Sequence, residues 1–291
     1  MTFYSEEAIE KIKSLESTPR VYKDILSKEE IDILIDLEEK SNNLRMVDRE
    51  DSRKTKIELQ SEVLKIIGSK IEPILGYKIS LGDFPAHFIK NKYPLRIHAD
   101  MGKDSSLIPH KNILIPLYVK GESDTYTLLF KQRWYGQSSL FSYDGDSNTD
   151  HFFKDSSDSF IHITDAQDLL FHMKNNMGKE ITYSTGTFSC TQEKIKEIEA
   201  LLKQSRYSQR TNKHITSNVE FNKDHYEKYL THQPYKDLTG LELDTAITWH
   251  PGDVIVFDRS TIHCASNFLK EGVEEKMAIA MFTVWDEDNV R

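Results

Sequence analysis

Two stretches of sequence are the most informative about the fold: RIHAD at residues 96–100 and HPGDVIVFDRSTIHCASN at residues 250–267. In RIHAD, His98 and Asp100 are two residues apart in a segment that should be extended, so both side chains leave the same face of a strand. In the later stretch a turn, the strand DVIVFD and a second turn lead to His263, which begins another strand. The two patterns predict that these three side chains converge on one metal ion.

Hydrophobic periodicity outside these stretches changes from helical to β-rich along the chain. Before Gly76, the capping box SKEE at residues 27–30 and an amphipathic run that starts near residue 57 predict helices. From Tyr77, pieces such as NILIPLYV, TYTLLF and KMAIAMFTVW predict many short strands. Many short strands with little helix between them favour a sandwich or barrel over a parallel sheet, so we expect a mostly β protein with flanking helices.

We expect one domain with a long insertion. The polar stretches between residues 143 and 240 are interrupted by one helix that begins near Ser189, and this region fits either a lid or a purely structural elaboration. The expected parts are a helical N-terminal support (1–76), the first strands with the His-x-Asp triplet (77–142), the insertion (143–240), and the last strands with the distal histidine (241–291).

Composition excludes several classes of protein. A net charge of −9 disfavours general nucleic-acid binding. The four basic residues between Lys203 and Lys213 are a local exception, although such a segment is more often a solvated loop. No apolar run is long enough to span a membrane, and the acidic first residues do not suit a secretory signal. With only Cys190 and Cys264, both expected to be buried packing residues, the chain is expected in the cytoplasm.

The His-x-Asp triplet together with the later turn, strand and histidine resembles the iron(II)/2-oxoglutarate-dependent oxygenases, near the prolyl 4-hydroxylase-like and phytanoyl-CoA hydroxylase-like branches. The resemblance covers roughly residues 22–130 and 240–286. It implies a double-stranded β-helix, the jelly-roll barrel shared with cupins, in which His98, Asp100 and His263 hold Fe(II) and catalyse oxidation with 2-oxoglutarate and O2 as cosubstrates.

The resemblance also implies a basic residue that binds the distal carboxylate of 2-oxoglutarate. Lys276, at the start of the last predicted strand, fits that role, whereas Arg259 precedes His263 in a turn and is expected to face outward. The family often has a hydroxyl two residues after the basic residue, but this chain has Ala278 there.

Three other side chains are candidates to replace the missing hydroxyl. Tyr93, Asn112 and Tyr118 each carry a donor group that binds a cosubstrate oxygen if it faces inward, and the sequence does not choose among them.

The resemblance implies hydroxylation of a C–H bond in a small molecule or a protein side chain, with release of succinate and CO2. A cupin-like metal-binding jelly roll without this redox chemistry is the alternative, although cupins usually carry histidines at H-x-H spacing, which this sequence lacks.

Overall fold

The computed structural model describes residues 4–48, 52–102, 106–136, 138–141, 152–154, 160–183, 186–199 and 219–287. By backbone proximity the chain divides into two units. The first unit comprises Met1–Ser138, Asn222–His232 and Glu242–Arg291, and the second comprises Ser139–Phe221 and Gln233–Leu241. The basic segment at residues 203–213 lies outside the described residues, and the domain division expected from the sequence stays a prediction.

Three helices of the first unit begin at serine caps, as helix-start signals in the sequence require. They are α1 (Glu6–Ser14), α2 (Lys28–Lys40) and α3 (Glu62–Leu75). The predicted capping box at α2 is confirmed, because Ser27 accepts from the backbone of Glu30 and the Glu30 side chain accepts from the backbone of Ser27. Helix α3 ends at Gly76, whose φ of 78° is a left-handed conformation that glycine adopts without strain. No described helix is long and apolar enough to cross a membrane.

The described strands follow in chain order. They are β1 (Arg20–Tyr22), β2 (Arg45–Asp48), β3 (Ser52–Lys56), β4 (Leu81–Asn91), β5 (His98–Ala99), β6 (Pro109–Lys120), β7 (Tyr126–Arg133), β8 (Ser139–Leu140), β9 (Phe152–Lys154), β10 (Phe160–His162), β11 (Glu180–Tyr183), β12 (Gly186–Ser189), β13 (Leu243–Thr248), β14 (Val254–Asp258), β15 (Thr261–Ala265) and β16 (Glu275–Val284).

Two antiparallel sheets form most of the first unit. Among its described residues, one sheet has the order β1-β14-β6-β16-β4-β3-β2 and the other has the order β13-β7-β15-β5. The chain alternates between them: β4, β6, β14 and β16 belong to the first sheet, and β5, β7, β13 and β15 to the second. The expectation of a mostly β protein with flanking helices is therefore confirmed, and the sheets are antiparallel.

Side chains of the first sheet alternate between two apolar layers. Val254 and Val256 of β14 pack with the helices, whereas Ile255 and Phe257 pack with Leu129 of the second sheet. This alternation follows from the two-residue repeat of a strand. One face of the sheet is thus covered by helices, and we call the opposite face, which packs toward the second sheet, the inner face. The helix-side layer includes the buried residues Leu34, Ile67, Ile71, Phe88, Ile113, Ile115, Met277 and Ile279.

The second unit has an apolar core of its own. Strands β9 and β10 form one antiparallel hairpin, and β11 and β12 form another. It also contains α4 (Ile163–Asn175), which the sequence did not predict, and a helix at residues 192–199, where the sequence predicted one. Both cysteines of the chain are free and buried, as expected, and Cys190 lies in this core. The buried residues of the core are Leu169, Leu170, Met173, Phe188, Cys190, Ile195 and Ile198.

Helix α2 allows a matched test of the helix-side layer. Leu34 is fully buried, whereas the neighbouring Ile33 is 46% exposed. We expect Leu34→Ala to lower the free energy of unfolding by about 2–5 kcal/mol, because it removes buried methyl groups and leaves a cavity. We expect Ile33→Ala to change it by about 0.5 kcal/mol or less. Urea denaturation of the two variants measures the difference, and equal losses would contradict the described packing of α2.

Candidate metal centre

Backbone pairing between β5 and β15 brings the two predicted histidines together. His98 and His263 are direct partners in the antiparallel register of these strands. Their ring centroids are 4.0 Å apart, at an interplanar angle of 51°. Cross-strand partners share one face of a sheet, so both rings project to the same side.

Asp100 completes a compact group of three ligand atoms. Its Oδ2 lies 3.2 Å from Nε2 of His263 and 3.8 Å from Nε2 of His98. One ligand atom from each of the three residues lies within 4.8 Å of the other two. The predicted convergence of these side chains is thus present in the structure. Two imidazole nitrogens and one carboxylate oxygen form a donor set that suits iron(II).

Backbone carbonyl groups orient both imidazole rings. Nδ1 of His98 lies 2.8 Å from the carbonyl oxygen of Arg96, and Nδ1 of His263 lies 2.9 Å from that of Thr261. A carbonyl oxygen can only accept a hydrogen bond, so each Nδ1 carries the proton. Each Nε2 therefore presents its lone pair to the centre, as metal-binding histidines do.

Burial and mutual interaction keep His98 and Asp100 in the protonation states that a metal requires. Burial, together with the nearby His263, lowers the pKa of His98 to about 4, so this ring is neutral near pH 7. Burial alone would raise the pKa of Asp100, but the interactions with both histidines outweigh it and hold this pKa far below its ordinary value. A neutral imidazole and an ionised carboxylate are the metal-binding forms.

Two further side chains hold Asp100 in place. Nδ2 of Asn112 donates to Oδ2 of Asp100 over 3.2 Å. Nε of Arg259 donates to the backbone oxygen of Asp100 over 2.6 Å, and another guanidinium nitrogen donates to the backbone oxygen of Thr283 over 3.0 Å. The expectation that Arg259 faces outward is wrong. It is only 7% exposed, because these carbonyl groups satisfy its donors inside the protein.

Lys276 lies in an aromatic environment on the inner face of β16. Its Nζ is 3.7 Å from the ring centroid of Trp249 and 5.0 Å from that of Phe268. The Nζ also donates to the hydroxyl of Thr125 over 3.3 Å. The residue is 4% exposed and, among the described residues, forms no ion pair with a carboxylate. Burial lowers its pKa to about 7.

The two candidate tyrosines are not brought to this centre. The ring of Tyr118 packs against the helix-side layer, and its hydroxyl donates to Glu275 over 2.6 Å. A shift of register between β16 and β6 next to Tyr118 explains the difference, because such a bulge turns the following side chain to the other face. Tyr93 is 60% exposed. Of the three side chains considered as replacements for the missing hydroxyl, Asn112 alone contacts one of the three candidate metal ligands.

Solved structures provide remote similarities. A viral collagen prolyl hydroxylase from Paramecium bursaria Chlorella virus-1, in complex with 2-oxoglutarate, aligns over 93% of this chain and 97% of its own, with 11% identity and a TM-score of 0.39. The non-haem alpha-ketoglutarate-dependent carbocyclase SnoK from nogalamycin biosynthesis covers 98% and 86%, with 12% identity and a TM-score of 0.44.

A third structure, EvdO2 from Micromonospora carbonacea var. aurantiaca in complex with 2-oxoglutarate, covers 96% of this chain and 91% of its own, with 13% identity and a TM-score of 0.36. No protein-family model matches the chain, and no curated protein sequence matches it. The residues of the centre, and not these remote similarities, support the function proposed below.

We expect Asp100→Ala to abolish stoichiometric binding of Fe(II), because it removes the one carboxylate oxygen of the three-atom donor set. Anaerobic titration of metal-free protein with Fe(II), or with Co(II) as a spectroscopic substitute, measures the loss. Asp124→Ala is the matched control, since it makes the same chemical change on an exposed turn. Unchanged metal affinity in the Asp100 variant would contradict the described centre.

Proposed function

We propose that this protein is an Fe(II)- and 2-oxoglutarate-dependent dioxygenase that hydroxylates a C–H bond of a small molecule or a protein side chain. The observation that carries the proposal is a two-histidine, one-carboxylate centre in the same unit as a buried lysine that has no carboxylate partner among the described residues. His98, Asp100 and His263 would hold the iron. Lys276 would bind the distal carboxylate of 2-oxoglutarate.

The donor set and the orientation of the rings favour iron over a closed structural site. A structural zinc site usually takes four protein ligands, whereas the two-histidine, one-carboxylate set leaves positions for other ligands. Both Nε2 atoms face Asp100, and their Nδ1 hydrogen bonds fix that orientation before any metal binds. The protein therefore would bind the ion with little rearrangement.

The environment of Lys276 suits a carboxylate ligand. Aromatic rings and one hydroxyl surround its ammonium group and do not neutralise it. A buried cation of this kind is costly unless a counter-ion joins it, and a carboxylate forms a strong, charge-assisted hydrogen bond with an ammonium group. The carboxylate that the described residues do not supply would come from the cosubstrate.

The chain's own residues would orient and protect the reactants. When bound, Fe(II) and 2-oxoglutarate supply the chemistry, in which O2 is consumed, 2-oxoglutarate becomes succinate and CO2, and one oxygen atom enters a C–H bond of the substrate. Lys276 would orient 2-oxoglutarate by binding its distal carboxylate. Trp249 and Phe268 would exclude water from that end of the site.

The alternation of strands between the two sheets supports the fold that belongs with this function. We infer that β4 to β7 and β13 to β16 are the eight strands of a double-stranded β-helix, with the N-terminal helices as a support on one face. The net charge of −9 favours a small-molecule or protein substrate over nucleic acid, and the free cysteines suit a reducing cytoplasm.

The direct test is anaerobic titration of the Fe(II)-loaded protein with 2-oxoglutarate. The measured signal is the visible charge-transfer band of the chelated complex. We expect a band in the wild type and a dissociation constant raised about 10- to 100-fold in Lys276→Met, the range for loss of one charged hydrogen bond. Lys120→Met, on a lysine whose side chain is 66% exposed, is the matched control. Bound iron without any band would favour the cupin-like alternative.

The pKa of Lys276 also predicts a pH dependence. Since this pKa is lowered to about 7, the free protein loses the proton as pH rises through 7, while carboxylate binding requires the protonated form. We expect the dissociation constant for 2-oxoglutarate to rise about tenfold per pH unit above that value, as proton linkage requires.

The same titration at pH 6 to 9 measures this slope. Lys276→Arg keeps the positive charge across this range, since an arginine pKa is above 12, and should flatten the profile. A wild-type constant that does not change with pH would contradict the role given to this lysine.

A further inference from the structure

A second lysine, Lys54, points to the inner face of the first sheet. Its neighbour Thr55 is fully buried on the helix side, where its hydroxyl donates to Glu38 over 2.7 Å. Arg53, on the other side of Lys54, also reaches Glu38, over 3.3 Å. Successive side chains of a strand point to opposite faces, so Lys54 points away from the helices.

His87 shares this face with Lys54. On β4, Ala86 and Phe88 both belong to the helix-side layer, so the side chain between them projects to the inner face. The ring of His87 lies 5.8 Å from that of Phe282, centroid to centroid. Burial and the nearby charge of Lys54 lower the pKa of His87 to about 3, so this ring is neutral.

Lys54 lies within electrostatic range of the metal centre. Burial lowers its pKa, and the negative charge of Asp100 opposes that effect. In the other direction, the positive charge of Lys54 contributes to the lowered pKa of His98. The charged groups that act on Lys54 and His87 are Asp100 and the lysines Lys54 and Lys56, and Arg259 acts in turn on Asp100.

Within the part of the chain that the structure describes, Lys54 has no partner that neutralises it, because it forms no ion pair and no hydrogen bond there. Lys111, a buried lysine on β6 of the same sheet, is by contrast paired with Asp258 and donates to the backbone oxygen of Leu15 over 2.8 Å. Burying a charged lysine without a counter-ion lowers the stability of the folded protein. Such a loss of stability is common at sites that bind a charged ligand.

The formal charges of the centre with Fe(II) and 2-oxoglutarate bound indicate which kind of further ligand would balance Lys54. Fe(II) contributes +2, Asp100 −1, 2-oxoglutarate −2, Lys276 +1 and Arg259, which acts on Asp100, +1, so these groups sum to +1. The charge of Lys54 would remain uncompensated after the metal and the cosubstrate have bound. Asp100, the carboxylate that acts on it, would already be engaged by the metal.

We propose that Lys54, assisted by the neutral His87, binds an anionic group of the substrate, a carboxylate or a phosphate, beside the metal centre. The inference rests on the proposed function for the identity of the ligand as a substrate, whereas binding of an anion to Lys54 can be tested without that function. It narrows the substrate class to acidic molecules and places their charged group on the β3–β4 side of the inner face.

The experiment uses the full chain loaded anaerobically with Fe(II) and saturated with 2-oxoglutarate, so that Lys276 is occupied. Inorganic phosphate is the first probe, and its ³¹P relaxation reports whether it binds near the paramagnetic ion. Acetate as a competitor distinguishes the two anions, since the one that displaces the other identifies the preferred group. We expect Lys54→Gln to weaken phosphate binding at least about tenfold, the effect of losing one charged hydrogen bond.

Lys120→Gln is the control, because it removes the same charge from a lysine of the first unit whose side chain is 66% exposed. We expect it to change phosphate binding less than about twofold, as for a screened surface charge. Equal phosphate binding by the wild type and by Lys54→Gln would overturn the proposal. It would indicate that Lys54 serves only to balance Asp100, in which case the variant should bind Fe(II) more tightly.

Phosphate titration of the metal-free protein separates this inference from the proposed function. If Fe(II) and 2-oxoglutarate do not bind but phosphate binding still depends on Lys54, the oxygenase function fails and the anion site stands. If the Fe(II)–2-oxoglutarate complex forms and phosphate binding is the same in wild type and Lys54→Gln, the oxygenase function stands and the anion site is refuted.

Discussion

Backbone hydrogen bonding between β5 and β15 is the constraint on which the metal centre depends. The two histidines are paired across these strands, and Asp100 follows two residues after His98. A slip of one residue would turn the side chains of either strand to the opposite face and destroy the donor set. The pairing of β15 with β7 on its other side helps to fix its position. The register is therefore held by the sheet and not by the ligands alone.

Buried positive charge is the second feature that organises the first unit. Arg259 is satisfied by two backbone carbonyl groups, and Lys111 is neutralised by Asp258. Lys276 has aromatic rings and a hydroxyl, and Lys54 has no partner among the described residues. Cations with full partners contribute to stability at best modestly. Cations without them cost stability, and this cost is the physical reason for proposing that ligands complete their environments.

Particular residues show where reasoning from the sequence succeeds and fails. The capping box at Ser27 and the two-residue spacing of His98 and Asp100 were predictable, because both depend on local backbone geometry. The burial of Arg259 was not, since its partners are carbonyl groups on distant strands. The face on which Tyr118 lies could not be predicted, because it is changed by a bulge that leaves no clear signal in the sequence.

The position of Lys54 was also missed. The strand SRKTK carries so many polar residues that its alternation gives no hydrophobic signal, and only the contacts of Thr55 with α2 reveal which face is which. The sequence by itself determined the mostly β texture, the helix starts and the ligand types, because these follow from interactions between residues close in the chain. Only the tertiary structure decided the register in which His263 meets His98 and which cations remain unpaired among the described residues, because those contacts depend on sheet register and on partners far apart in the sequence.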